Sequence, residues 1–128
     1  MSWNPQQYAR FAGQRLRPAL DLIARIPIEH PRTVVDLGCG TGSVTRILRA
    51  RWPHAGITGV DGSPQMLAEA RMAEAGIGWE QTDIGAWNPA AQFDLVFSNA
   101  ALHWLDDHSA LFTRLAGNVA GGGVLAVQ

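Results

Sequence analysis

The chemistry in this sequence concentrates in Asp36-Leu37-Gly38-Cys39-Gly40-Thr41-Gly42, which follows directly on the β-branched pair Val34-Val35. Alternating glycines let the backbone turn tightly and lie against a ligand with no Cβ in between. A helical pattern begins at once, and its first free N–H groups point back into the turn. This is the layout of a nucleotide-type cofactor site. Asp61 ends the next apolar run, about 20 residues further on, where an open α/β sheet offers a carboxylate to ribose hydroxyls. Asp83 ends the run after that, placed either to meet an adenine amino group or to cap a turn. The glycine spacing is G-x-G-x-G, with Ser43 where the dinucleotide fingerprint has its third glycine, which argues against a nicotinamide dehydrogenase.

Taken singly, each feature has a plainer reading. The glycines alone are a strand-to-helix turn, and Asp61 alone is a helix cap or a solvated strand end. Cys39 reads as a small residue filling a tight space. His30, His54 and His108 show no ligand spacing, so no metal site is expected. Trp87 and Trp104 read first as packing residues. His103 lies beside Trp104 and is open to a base role or a surface one. Arg15 is free to pair with a substrate carboxylate or with an acid such as Asp21. No residue stands out as catalytic. The combination of Asp36, Asp61 and Asp83 at successive strand ends is what gives the glycine turn its meaning.

The elements that position these residues follow from periodicity. Residues 3–26 read as helix in one or two pieces, with Pro18 starting or kinking the second. Strands are expected at 33–37, 57–61, 78–82, 93–98 and 124–127, the last after a turn at Gly121-Gly122-Gly123. Helices are expected at 41–52, from the Ser63-Pro64 start to about residue 75 with Gly76 as C-terminal cap, and from near Asp106 or Asp107 to about 118. Residues 83–92 read as a loop or short helix. Strands alternating with helices make right-handed βαβ units and a doubly wound, mostly parallel, Rossmann-like α/β sheet. Residues 1–32 read as an N-terminal helical cap and 33–128 as the cofactor-binding domain.

The bulk properties agree. The chain has 128 residues, 47% hydrophobic and 16% charged, which fits one globular domain rather than a disordered chain. A net charge of −1 gives no electrostatic argument for nucleic acid or an anionic membrane. Cys39 is the single cysteine, no signal peptide is visible and no apolar run is long enough to span a membrane, so a cytoplasmic setting is expected.

Residues 36–42 resemble motif I of the class I S-adenosylmethionine-dependent methyltransferases. Gly59-Val60-Asp61 with Ser63-Pro64-Gln65-Met66 resembles their second motif, and Phe93-Asp94-Leu95-Val96-Phe97-Ser98-Asn99 their fourth. The wider chain is similar to the trans-aconitate methyltransferases, through Trp3-Asn4-Pro5, Tyr8, Phe11, Arg15, Arg17-Pro18-Ala19, Arg51-Trp52-Pro53, Trp104-Leu105 and the closing Gly123-Val124-Leu125-Ala126-Val127-Gln128. The resemblance implies S-adenosyl-L-methionine as cofactor and a small-molecule carboxylate as substrate. It implies that residues 38–42 pack on the methionine half while Asp36 orients its ammonium group. Asp61 is to hold the ribose, Gly62 and Met66 to border the adenine, and Asp83 with Ile84 to read the adenine edge. Asn99 and Ala100 are to lie near the methyl group, and Tyr8 and Arg15 on a helix closing over the cofactor. Arg15, Arg17, His103 and Trp104 are the candidates for the substrate side.

A carboxylate, with a reference pKa of about 4, is ionised at pH 7 and needs no general base to accept a methyl group. Family members continue past the fifth strand with a helical insertion and two more strands, so a fragment is expected here, with five strands and the last two absent. Its fifth strand is expected to form an exposed apolar edge prone to self-association. Two rivals stay open: a malonyl-carrier-protein O-methyltransferase and a cofactor-binding fragment without activity.

Overall fold

The computed structural model describes residues 16–99 and 108–128. Five strands, β1 (Thr33–Leu37), β2 (Gly56–Asp61), β3 (Gly78–Gln81), β4 (Phe93–Ser98) and β5 (Val119–Val127), form one sheet. Their order is β3-β2-β1-β4-β5, and every neighbouring pair is parallel. The chain runs outward from β1 in one direction and then returns to β4, so the switch in strand order falls between β1 and β4. In an open α/β sheet the crevice beyond the carboxyl ends of the strands at that switch is where ligands bind.

Alternation along the strands divides the core. Val34, Ile57, Leu95, Phe97 and Ala126 face helices α1 (Arg17–Arg25) and α2 (Ser43–Arg51), meeting Leu20, Ile23, Ile47 and Leu48. Val35, Leu37, Val60 and Val96 face the other way, onto Trp87 and onto Leu111 and Leu115 of α4 (His108–Gly117). Helix α3 (Pro64–Ala73) carries the crossover from β2 to β3 and buries Leu67 and Ala70. Burying both faces of a parallel sheet is what the near-continuous apolar strands require.

Most boundaries agree with the sequence reading to within a residue or two, and β1 and β4 agree at both ends. Pro18 lies in the first turn of α1 and starts it, where its missing N–H costs nothing. Ser63 caps α3, its hydroxyl accepting from the Met66 N–H at 3.2 Å. Residues 3–15 of the expected N-terminal helix, and the expected α4 start at Asp106 or Asp107, lie outside the described residues.

Two expectations are corrected. Gly76 is not the cap of α3: the helix ends at Ala73 in an extended Glu74, whose carboxylate accepts from the Gly76 N–H at 2.9 Å. The three glycines at 121–123 do not precede β5 but lie within it. Phe93 pairs with Val119 and Leu95 with Val124, so β5 carries extra residues in a bulge. A Cβ on Gly123 would stand 2.6 Å from the Asp94 carbonyl oxygen and Gly122 adopts φ 79°, so the bulge needs glycine both for close backbone approach and for its left-handed residue.

Candidate functional site

The turn after β1 is braced before any ligand is considered. The Gly38 and Cys39 N–H groups both donate to the Val60 carbonyl, at 2.7 and 3.0 Å, and Gly42 N–H donates to Cys39 O at 2.9 Å. All three alternating glycines adopt positive φ, at 78°, 57° and 85°. They are not equivalent. A Cβ on Gly40 would meet nothing within 4 Å, so this residue faces open space on the ligand side. A Cβ on Gly42 would stand 2.7 Å from Cη2 of Trp79, so this glycine admits the indole that supports the turn from beneath.

Asp61, at the end of β2, closes over the turn. One carboxylate oxygen accepts from Gly40 N–H at 2.9 Å and the other from Ser63 N–H at 2.8 Å. An ionised carboxylate has about four acceptor positions, so two are left over by these bonds. Gly62 is exposed, and a Cβ there would stand 3.8 Å from the Asp83 Cα, which brings the ends of β2 and β3 side by side. Met66 is 46% exposed on the first turn of α3, an apolar side chain left uncovered at this same edge. Asp83 begins the short 3₁₀ turn Ile84–Ala86, and its Oδ1 accepts from Gly85 N–H at 3.1 Å. The capping reading of Asp83 is therefore realised, with its second oxygen left over.

Asp36 is 2% exposed on the α2 side of β1, where Thr45 Oγ1 donates to its Oδ2 at 2.7 Å. Burial raises its pKa from 3.8 to about 7; the Thr45 hydroxyl lowers it, and the nearby Asp61 charge raises it further. Burial, with Asp36 and Asp61 close by, also pushes the Cys39 thiol up to about 12, which keeps it neutral and fits its reading as a space-filling residue. Asn99 is half-buried just beyond β4, whose Ser98 hydroxyl donates to Leu37 O at 2.8 Å and fixes the β4 end against the turn.

The structure thus brings together Asp36, Leu37, Gly38, Cys39, Gly40, Gly42, Asp61, Gly62, Met66, Asp83 and Ile84 at the carboxyl ends of β1 to β3, with Asn99 beside them. Tyr8, Arg15, Ala100, His103 and Trp104 lie outside the described residues. Sequence reasoning missed Thr45 and Trp79. Thr45 stands in the first turn of the helix after Asp36, but spacing alone does not pair the two. Trp79 had only strand alternation to mark it.

Arg17, with Asp21, Arg25, Val127 and Gln128, lines an open cleft of about 520 Å³ between α1 and the end of β5. Among the described residues no three His, Cys, Asp or Glu side chains gather to hold a metal ion, and no helix is long and apolar enough to cross a membrane.

A doubly wound parallel sheet with a glycine turn and carboxylates at the switch-point end defines a Rossmann-like nucleotide-binding domain. The chain belongs to the methyltransferase domain family, which matches residues 34–123. It is 50% identical, over 99% of its length, to the trans-aconitate 2-methyltransferase of Azoarcus sp. (strain BH72), and 52% identical, over 98%, to that of Methylobacterium nodulans. The chain spans about half the length of these relatives. Among solved structures it resembles an S-adenosylmethionine-dependent methyltransferase from Mesorhizobium loti, with TM-score 0.77 and 34% identity over 91% of this chain and 54% of that one. It also resembles DhpI in its SAH complex, with TM-score 0.75 and 27% identity over 96% of this chain and 62% of that one. The expected cofactor, S-adenosyl-L-methionine, agrees with these neighbours.

Proposed function

We propose that this chain is the S-adenosylmethionine-binding domain of a carboxyl O-methyltransferase acting on a small polyanionic acid such as trans-aconitate. The observation that carries the cofactor half is Asp61, which braces the glycine turn through Gly40 N–H and keeps acceptor positions free at the ribose side. The residues present fit the cofactor in charge and space. Asp36 and Asp61 sit together with no salt bridge to either among the described residues. A cation placed beside the pair would draw Asp36 from its raised pKa into the ionised form, whereas a pyrophosphate would gain no such partner. Gly40 leaves open the space a Cβ would fill.

When bound, the cofactor supplies an electrophilic methyl group on its sulfonium. The chain's own residues bind and orient: Asp61 the ribose hydroxyls, Asp83 and Ile84 the adenine edge, Asp36 the ammonium group, with Gly62 and Met66 against the ring. Tyr8, Asn99 and Ala100 complete the methionine side in this reading. The acceptor carboxylate arrives already ionised, so orientation and exclusion of water carry the catalysis, worth up to about 7–11 kcal/mol. Arg15 and Arg17 are the cations proposed to hold the substrate's other carboxylates, with His103 and Trp104 at its mouth. The substrate assignment is supported by half-identity to trans-aconitate 2-methyltransferases over half their length. The reading includes a cytoplasmic setting, on the lone buried thiol of Cys39.

Calorimetric titration with S-adenosylhomocysteine tests the cofactor half. Removing a carboxylate that accepts two hydroxyl hydrogen bonds in Asp61→Ala is expected to weaken binding by about 100-fold or more. Undiminished binding in the variant overturns the ribose assignment. Transfer of labelled methyl to trans-aconitate tests the substrate half. A cofactor-binding module without transfer activity is the second reading, and binding without transfer would support it.

A further inference from the structure

Arg114 of α4 reaches across to the turn that carries Asp83 and Ile84. Its NH1 donates to Gly85 O at 2.8 Å and its NH2 to Ile84 O at 3.1 Å, so one planar fork grips two successive carbonyls. The Nε of the same guanidinium is buried with no hydrogen-bond partner. Leaving a charged donor unsatisfied is costly, so the group sits where the two carbonyls hold it rather than where it is best solvated. The lower end of the segment is fixed separately: Asn118 Nδ2 donates to Pro89 O and Gln92 Nε2 to Gly117 O, both at 3.2 Å. Arg114 therefore acts locally, on the peptide planes at Ile84 and Gly85. The Gly85 amide in turn holds Asp83 Oδ1.

We infer that Arg114 is a positioning residue for adenine recognition. By tying the Ile84 and Gly85 carbonyls toward α4 it fixes the turn from which Asp83 and Ile84 meet the adenine edge, so base selectivity depends on a side chain that does not touch the base. This rests on the reading of Asp83 and Ile84 as adenine contacts.

The test compares S-adenosylhomocysteine with S-inosylhomocysteine, whose ring carries an oxo group in place of the amino group. Calorimetric titration of the whole chain gives the affinity ratio for the unsubstituted protein and for Arg114→Met, Arg114→Lys and Asp83→Asn. Arg114→Met keeps the alkyl stem and removes the fork. It is expected to lose about tenfold in affinity for the adenine ligand with little change for the inosine one, so the ratio narrows. Arg114→Lys, which can reach one carbonyl at a time, is expected to fall between, and it carries the same comparison if Arg114→Met does not fold. A merely structural role would lower both affinities alike and leave the ratio unmoved. An unmoved ratio in the Arg114 variants, with a collapsed ratio in Asp83→Asn, overturns the positioning role and spares the adenine reading. An intact ratio in Asp83→Asn overturns that reading and the inference with it, as does the absence of any S-adenosylhomocysteine binding.

Discussion

Toward β2, β1 passes into a turn whose amides are almost all committed: to Val60 O, to Asp61, and to Cys39 O, with an indole packed beneath. Toward β4 the sheet continues into β5, whose pairing is interrupted by a glycine bulge and whose apolar side chains at 119, 124, 125 and 127 stay half-exposed. Both sides share the same parallel ladder and the same apolar strands. What differs is the number of independent constraints on each backbone group. The braced side holds donors and carboxylates in fixed geometry, as binding a small ligand demands. The bulged side tolerates change and presents backbone to whatever lies beside it.

Glycine substitutions break this comparison most sharply. Gly42→Ala combines strain at positive φ with a Cβ only 2.7 Å from Trp79 Cη2, and an expected loss of about 2–4 kcal/mol follows. Gly59→Ala places a Cβ 2.6 Å from Trp79 Cε3 and Cζ3, with an expected loss of about 1–3 kcal/mol. The indole cannot slide away freely, because its Nε1 donates to Glu74 O at 2.9 Å. Gly121→Ala in the bulge meets nothing within 4 Å and is expected to stay within about 0.5 kcal/mol of the parent. Urea unfolding of the three variants gives the ranking. The loss at Gly59 should shrink when Trp79 is also replaced by alanine, and simple additivity of the two changes would remove the indole from the explanation.

The same contrast governs what was legible in the sequence. The glycine turn, Asp61 and the Ser63 cap announce themselves because local chemistry demands those residue types at those spacings: positive φ, a strand-end acceptor, a first-turn amide to satisfy. Asp36 was located, but its Thr45 partner and its neutral-leaning state depend on how α2 lies on β1, which no spacing encodes. Trp79 matters only because β3 lies beside β2, and Arg114 only because α4 crosses behind the turn at Ile84. Residues 121–123 read in the sequence as a turn before β5, and the bulge they form within it is missed there, for a related reason. Three glycines in a row signal irregular backbone, yet whether that backbone leaves the sheet or stays paired depends on Phe93, Asp94 and Leu95 across the ladder.

Asp36 sharpens the comparison through pH. Its folded pKa of about 7 lies above the ordinary carboxyl value of 3.8, so between those values the folded state holds a proton that the unfolded chain has released. Stability from this group is therefore greatest at the acid end of the window and declines as pH rises through it, by at most about 1.4 kcal/mol per pH unit. Asp36→Asn keeps an acceptor for the Thr45 hydroxyl and cannot titrate. Its stability is expected to vary less between pH 4.5 and about 7, and to match or exceed the parent's above pH 7. Parallel unfolding curves for parent and variant across that range would show that Asp36 is charged in the folded protein throughout.

On the β5 side the expected effect is smallest for folding and visible only between molecules. An outer parallel strand leaves a row of backbone N–H and C=O groups unpaired, and half-exposed valines and leucine beside them favour pairing with another chain. The bulge at 121–123 shortens the regular edge without abolishing it, since Leu95, Val96, Phe97 and Ser98 pair in unbroken register with Val124, Leu125, Ala126 and Val127. Sedimentation of this chain is therefore expected to show concentration-dependent association. Gly121→Lys sets a charge on the exposed edge, where its Cβ has room, and should weaken that association while changing unfolding by no more than about 0.5 kcal/mol. A parent chain that stays monomeric at high concentration would mean that the bulge already protects the edge, and the two sides of β1 would then differ in rigidity but not in exposure to partners.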